Sequence, residues 1–423
     1  MLLKNKLNNM KSFFKSDSVL TKLEERYCYT HDASNERFDL QTPDLVIFVE
    51  TIEDVQKIVK YANEHEIPII ARGAGTNMVG ACACSQGGIV LNFSKMNKIL
   101  ELSSENMYAR VQPGVVLGDL KMEAAKQNLF YPPDPSNYKV STIGGSIAQS
   151  SGGAMSFKYG TTKDYVLSLK VVTADGNLMV LGKDTLKNAL GYQLSQLMVG
   201  SEGTLAIIVE ATLKLIPKPE TSSMVLAYFN DIHKAVNSLS AITSNGIFPK
   251  AIDFMDNNSL STVEDFLPSG LKTEYSYLLL IGIDGTEESI AEQKKRIFSS
   301  LSKSGAEDII FPQANEIERI LKGRRASYSA ATRLAPDVIS DDIIVPRNKL
   351  AEMILKCNEI ADKYSLKICI VGHLGDGNIH PQFVLDLDDE IQFKNYYSAK
   401  AEIYNFANQL GGSISAEHGI GLE

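Results

Sequence analysis

The chain has 423 residues, 44% of them hydrophobic and 22% charged, with a formal net charge of −9 at pH 7. That length supplies two cores or one large one, and the acidic balance excludes general affinity for nucleic acid or for anionic lipid surfaces. The five cysteines are irregularly spaced, and Cys82 and Cys84 lie too close for a CxxC motif, so a disulfide framework is excluded and small buried thiols in a reducing compartment are expected.

The N-terminal stretch MLLKNKLNNMKSFFKSDS is basic but lacks the continuous apolar core of a signal peptide. No stretch approaches the roughly 18 apolar residues of a membrane span, so a cytoplasmic protein is expected, at most peripheral at the inner face of a membrane. Residues 1–40 read as a helical, polar lead-in, because VLTKLEERY spaces its apolar residues at helical intervals. DLVIFVE then reads as a strand. TIEDVQKIVKYANEHEI follows as an amphipathic helix with Thr51 as N-cap and Asp54 at the third helical position.

PIIARGAGTN predicts a strand running into a glycine loop, and GGIVLNF, YARVQPG, LSLKVVTADGNLMVL and LAIIVEATLKLIPKP read as further strands, with a hairpin at Asp175-Gly176. Pro217 and Pro219 close this region near residue 220. Beyond it, SSMVLAYFN, KAIDFMDNNS and YSYLLLIGIDG alternate with helical DIHKAVNSLSAITSNG and TEESIAEQKKRIFSSLSKSG, a pattern of α+β type. NKLAEMILKCNEIADKYS is another helix before the strand KICIVGH.

Three glycine-rich loops crowd the first half: ARGAGTNMVG, STIGGSIAQSSGGAMSFKYG and VGSEGTLAII. The first does not fit the dinucleotide fingerprint, whose third glycine comes three residues after the second rather than five. Small residues with free backbone N–H groups still allow the main chain to approach a pyrophosphate or a planar ring, and three such loops suit a long ligand.

A second cluster lies near the end. In VGHLGDGNIH, His373 and His380 flank a turn built on Gly375 and Gly377, and SAEHGIG adds Glu417 and His418. Gly/Asn/Asp turns are common in polar hairpins, but three of the six histidines fall in these two loops. Two imidazoles and a carboxylate suit a divalent ion with open positions, Zn²⁺, Fe²⁺ or Mn²⁺ alike. LKGRRASYSAATR supplies arginines for a carboxylate, Arg324, Arg325 and Arg333.

Taken in order, RGAGTN, YPPDPSN, STIGGSIAQSSGG, KYG, NALGYQL, GSEGTLAIIVEATLKL, VGHLGDGNIH and GGSISAEHGIG resemble the FAD-linked oxidases of the vanillyl-alcohol oxidase superfamily. Within it the chain is most similar to the subgroup of glycolate oxidase catalytic subunits, D-lactate dehydrogenases and D-2-hydroxyglutarate dehydrogenases. The resemblance implies an α+β fold: a two-subdomain, PCMH-type FAD-binding domain at 41–220, then a cap domain with an antiparallel sheet and helices at 221–423. It assigns Arg72, Gly73, Ala74, Gly75, Thr76 and Asn77 to the pyrophosphate. Pro133, Asp134, Thr142, Gly144, Gly145 and Gly153 would line the flavin, and Glu202, Gly203, Thr204 and Ile208 the adenosine half. Asn77 and Met78 stand where some relatives carry a flavin-linking histidine, which implies non-covalent FAD.

The same resemblance assigns the metal to His373, His380 and Glu417, the substrate carboxylate to Arg324, a hydrogen bond to substrate or flavin to Asn378, and the base to His418. The implied reaction is oxidation of a D-2-hydroxy acid such as D-lactate or glycolate, with hydride transfer to flavin N5. Electrons would pass to an iron–sulfur subunit, an electron-transfer flavoprotein or a quinone-linked chain, and a homodimer is open. Two alternatives are a flavin-dependent alcohol or aldehyde oxidase of the same superfamily and a metal-dependent hydrolase without flavin. Relatives continue beyond GIGLE, so a truncated C-terminus is expected.

Overall fold

The computed structural model describes Leu7 and residues 9–423, so the first six residues and residue 8 of the expected lead-in lie outside the described residues. The chain divides into two compact units. One comprises residues 1–152, 160–218 and 417–423, the other 153–159 and 219–416. The main change of unit falls at 218/219; the second unit also takes a short segment from within the first half, and the last residues belong to the first unit.

The first unit holds two sheets. In the smaller, β1 (Val19–Leu20) pairs antiparallel with β2 (Leu45–Phe48), while β4 (Ile89–Asn92) runs parallel to β2 and to β3 (Ile69–Arg72). Both β2 and β4 are apolar and almost wholly buried, as expected of strands covered on both faces. The helix Ile52–His65 buries Val55, Ile58, Val59 and Ala62 and begins with the expected capping box between Thr51 and Asp54. Where periodicity predicts a helix across VLTKLEERY, Val19–Leu20 adds to the sheet edge and only Leu23–Tyr27 is helical. Pairing with β2 buries Val19, which a free helix would leave wet.

The larger sheet is antiparallel, in the order β5 (Ile99–Ser103), β6 (Tyr108–Val111), β10 (Ala206–Lys214), β8 (Val166–Thr173), β9 (Leu178–Gly182). Its core joins Leu169, Val171, Ala211 and Leu213 to Leu117, Leu120, Ile143 and Ile147 from two helices, Leu117–Lys126 and Ile143–Gln149. A minor pair, β7 (Leu129–Phe130) with β11 (Ile216–Pro217), closes this unit.

The second unit is built on one antiparallel sheet, in the order β15 (Asp308–Ile310), β12 (Thr221–Phe229), β14 (Tyr277–Gly285), β13 (Ala251–Asp256), β18 (Lys367–His373), β19 (Asn378–Leu385), β16 (Asp337–Ser340), with β17 (Ile343–Ile344) also against β19. Amphipathic helices Ile232–Ser244, Glu287–Lys303, Leu350–Lys363 and Glu390–Gln409 bury their apolar stripes against it, with Phe254, Ile281, Ile370 and Phe383 at the centre. These two architectures are the α+β fold expected.

Candidate active site

In the first unit the glycine loops line one cleft of about 1200 Å³ including its mouth. Its wall carries Arg72, Gly73, Ala74, Gly75, Thr76 and Asn77 from the loop after β3, Thr142, Gly144 and Gly145 at the start of the helix Ile143–Gln149, and Glu202, Gly203 and Ile208 from the approach to β10. Thr142 both accepts a hydrogen bond from Gly145 N–H and lies where a Cβ on Gly73 would go, 2.1 Å from its Oγ1. Glycine at 73 thus lets two loops close on each other. Gly75, at φ +70°, lies over the Arg72 guanidinium, 2.2 Å from where its own Cβ would be.

Arg72 also donates to the Cys82 carbonyl at 3.3 Å and lies 5.5 Å from the Tyr29 ring, so it ties the two ends of its loop as well as lining the cleft. The Cys82 thiol beneath it is pushed up to about 11 by burial, which leaves it protonated and unreactive near neutrality. Three residues expected at the flavin and one expected at the adenosine half do not line this cleft. Pro133 and Asp134 are replaced at the cleft wall by Pro135, Ser136 and Asn137. Gly153 belongs to the second unit, and Thr204 is exposed, its hydroxyl donating to the Ser201 carbonyl.

Glu417 and His418 also line this cleft. The loop holds this end of the chain: Asn77 Nδ2 donates to the His418 carbonyl at 3.0 Å, and Glu202 accepts from the N–H groups of Ile420 and Gly421 at 3.0 and 2.9 Å. Glu202 thereby anchors backbone as well as facing the cleft. The bare wall left by Gly203, whose Cβ would meet nothing nearer than Ala71 at 4.0 Å, and the row of small residues fit a long, flat cofactor such as FAD.

In the second unit, β18 and β19 form a hairpin in which His373 stands opposite Asn378 and Val371 opposite His380. Side chains two apart on a strand share a face, as do those directly opposite, so both histidines project together, with ring centroids 5.4 Å apart. Two acids missing from the sequence reading complete this face. Asp253 of β13 stands opposite His373, its Oδ1 2.6 Å from Nδ1, and its Oδ2 is 3.4 Å from Nε of the buried Arg324. Burial works to raise the Asp253 carboxyl, yet Arg324 and then His373 and His380 hold it below its ordinary value. An ionised carboxylate only accepts, so Nδ1 of His373 carries a proton toward Asp253, which leaves Nε2 as the nitrogen a metal would take.

Asp342 is the second acid. Ser340 pairs with Gln382 and Ile343 with Ile379 in one unbroken register, which puts Asp342 opposite His380 and Asp341 opposite Pro381. Proline has no N–H to give the ladder, and β16 and β17 are accordingly separate strands. Asp342 Oδ1 lies 3.6 Å from His380 Nδ1 and accepts from Asn378 Nδ2 at 2.9 Å. Asn378, expected to reach substrate or flavin, instead directs its buried amide at Asp342 and the Ile343 carbonyl. Arg325 pairs loosely with Glu318 at 3.9 Å, and Arg333 lies over the Phe266 ring. An acid in the middle of an apolar strand, as in AIDFMD, was the legible signal for Asp253; Asp342 offered only its place beside Asp341.

Comparison with known proteins follows the same two-part division. Residues 43–182 match the FAD binding domain family, and residues 218–423 match the family of FAD linked oxidases, C-terminal domain. The glycolate oxidase subunit GlcD of Bacillus subtilis is 41% identical over 397 residues, 94% of this chain and 84% of that protein.

This chain belongs to the FAD-linked oxidases.

Other members of the family are similar as well: the D-lactate dehydrogenase of Archaeoglobus fulgidus is 36% identical over 373 residues, 87% of this chain and 81% of that one. Among solved structures, p-cresol methylhydroxylase with substrate bound has a TM-score of 0.82 at 16% identity, covering 98% of this chain and 89% of the other. At that identity the likeness concerns the fold, which is that of PCMH-type flavoproteins. As an FAD-linked oxidase the chain is an oxidoreductase and a flavoprotein, and the cleft lies in the unit that carries the match to the FAD binding domain family. Among the described residues no helix is long and apolar enough to cross a membrane.

Proposed function

We propose that this FAD-linked oxidase converts a small D-2-hydroxy acid, of the size of glycolate or D-lactate, to the 2-oxo acid. The observation that carries the reading is the likeness, over most of both chains, to proteins named for glycolate and D-lactate. The set of buried Arg324, Asp253 and His380 with the partly buried His373 supports it, because a 2-hydroxy acid needs a cation for its carboxylate and donors near its hydroxyl.

FAD, held without a covalent link along residues 72–77, 142–145 and 202–208, supplies a two-electron acceptor when bound. His373 and His380 would hold a divalent ion, for which the family resemblance adds Glu417 as the carboxylate ligand, and that ion would supply Lewis acidity toward the hydroxyl. Arg324 binds the substrate carboxylate through its fork of N–H groups. Asp253 orients that guanidinium and fixes the proton on Nδ1 of His373, and the His418 imidazole accepts the hydroxyl proton. Asn378 acts through Asp342. The sequence has no iron–sulfur motif, so the electrons leave to a separate acceptor, an iron–sulfur subunit, an electron-transfer flavoprotein or a quinone, and the protein works in the cytoplasm or at the inner membrane face.

The test is dye reduction by the FAD-loaded protein with D-lactate, glycolate and D-2-hydroxyglutarate in turn, with the product identified by mass. Formation of the 2-oxo acid from a D isomer, lost on chelation and restored by Zn²⁺, Fe²⁺ or Mn²⁺, supports the reading. Turnover of a primary alcohol with no response to any hydroxy acid contradicts it.

A further inference from the structure

On the long helix Glu390–Gln409, Tyr396, Lys400 and Tyr404 follow one another at four-residue intervals and so share a face. Lys400 is nearly buried, its Nζ 5.7 Å from the Tyr396 ring centroid and 5.5 Å from that of Tyr404. It points at Asp341, whose side chain is fully enclosed, with Nζ 3.9 Å from Oδ1; the Tyr404 hydroxyl donates to the same oxygen at 3.0 Å. Asp341 N–H in turn donates to the Pro381 carbonyl, one residue from His380.

Nothing in the proposed chemistry uses this lysine, yet a buried ion pair is expensive to assemble and strongly destabilising to break from one side. Its location gives it a purpose. Consecutive side chains in extended backbone point to opposite faces: Asp341 turns toward the helix, and Asp342 turns toward His380, Asn378 and the Ala416 N–H, which it accepts at 2.8 Å. A restraint on the first carboxylate fixes the peptide that aims the second.

We infer that Lys400, with Tyr404, is a positioning residue that holds Asp341 and thereby sets the carboxylate of Asp342 against His380. Lys400 also gives the enclosed Asp341 side chain a cation to face. Without it, Asp341 is drawn outward to be hydrated, and Asp342 turns with it. The inference rests on the reading of His380 as a metal ligand only for its effect on metal; the link from Lys400 to His380 stands on the contacts themselves.

The test compares the full chain with Lys400→Met, Tyr404→Phe and the double variant Asp341→Asn/Lys400→Met, in which neither charge is left alone. Proteins labelled with ¹⁵N-histidine report the imidazole of His380, assigned with His380→Gln, and calorimetry with Zn²⁺ reports metal affinity. Lys400→Met should shift the His380 ring resonances and weaken Zn²⁺ by roughly tenfold to a hundredfold, Tyr404→Phe should do so less, and the double variant should recover most of both. Unmoved His380 resonances in folded Lys400→Met overturn the inference, as does a double variant no closer to wild type than the single one. If the unaltered protein takes up no Zn²⁺, the metal reading fails by itself, and the resonance shift still decides the role of Lys400.

Discussion

Asp253 faces His373 across the β13–β18 ladder, its carboxylate 2.6 Å from Nδ1 and at the same time 3.4 Å from the Arg324 guanidinium. One buried acid thus sets both the tautomer of a histidine and the position of an arginine. Replacing it with asparagine keeps the shape and removes the charge. Asp253→Asn should lower kcat/KM by roughly tenfold to a hundredfold, as loss of a partner behind a functional histidine does, with steady-state dye reduction as the measurement. An unchanged kcat/KM would mean that this pair only stabilises the sheet.

Arg324→Lys retains a positive charge but not the planar fork. The KM for the hydroxy acid should rise roughly tenfold or more, the size of one lost charge-assisted hydrogen bond, while FAD content stays at the wild-type level because the cleft lies in the other unit. Loss of FAD together with activity would assign Arg324 to folding instead.

Gly73→Ala tests the cleft. The added methyl would lie 2.1 Å from Thr142 Oγ1, forcing apart two loops that line it. The purified variant should carry little FAD and require added cofactor for turnover, read from the flavin absorbance per protein. Full FAD occupancy would show that the loops do not need to close here.

The Asp256 carboxyl, capping the helix Asn257–Phe266, is pushed up to about 6 by burial, which the hydrogen bonds from Ser259 only partly offset. Raised above its unfolded value, it makes the folded state bind the proton more tightly, so its contribution favours folding below about pH 4 and is lost as pH rises to about 6. A shift of that size is worth about 3 kcal/mol. Asp256→Asn keeps an oxygen for the Ser259 N–H without the ionisation. Relative to wild type, its stability in urea should gain up to about 3 kcal/mol between pH 4 and pH 7, whereas parallel curves would contradict this account.

Much of this was legible in the chain. The Thr51/Asp54 capping box, the Asp175-Gly176 hairpin and the β-branched runs at β4, β8 and β10 are local signals, and the structure carries each of them. The two histidines were legible as a pair because a short turn on adjacent strands is itself local. Their acids were not: Asp253 meets His373 through pairing of strands 120 residues apart, and Asp342 meets His380 from the gap between two short strands on β19. Nothing in GDGN announces that Asp342 accepts from the Asn378 amide. The short edge strand Val19–Leu20 was hidden for a related reason, its pairing partner lying in β2.

The central claim is most directly tested by the absorbance spectrum of the FAD-loaded protein under anaerobic conditions, before and after D-lactate, glycolate and D-2-hydroxyglutarate are added one at a time. The account predicts that the oxidised flavin bands bleach with at least one of these acids, and that prior chelation prevents it. A protein that binds FAD yet keeps its oxidised spectrum with all three would contradict it.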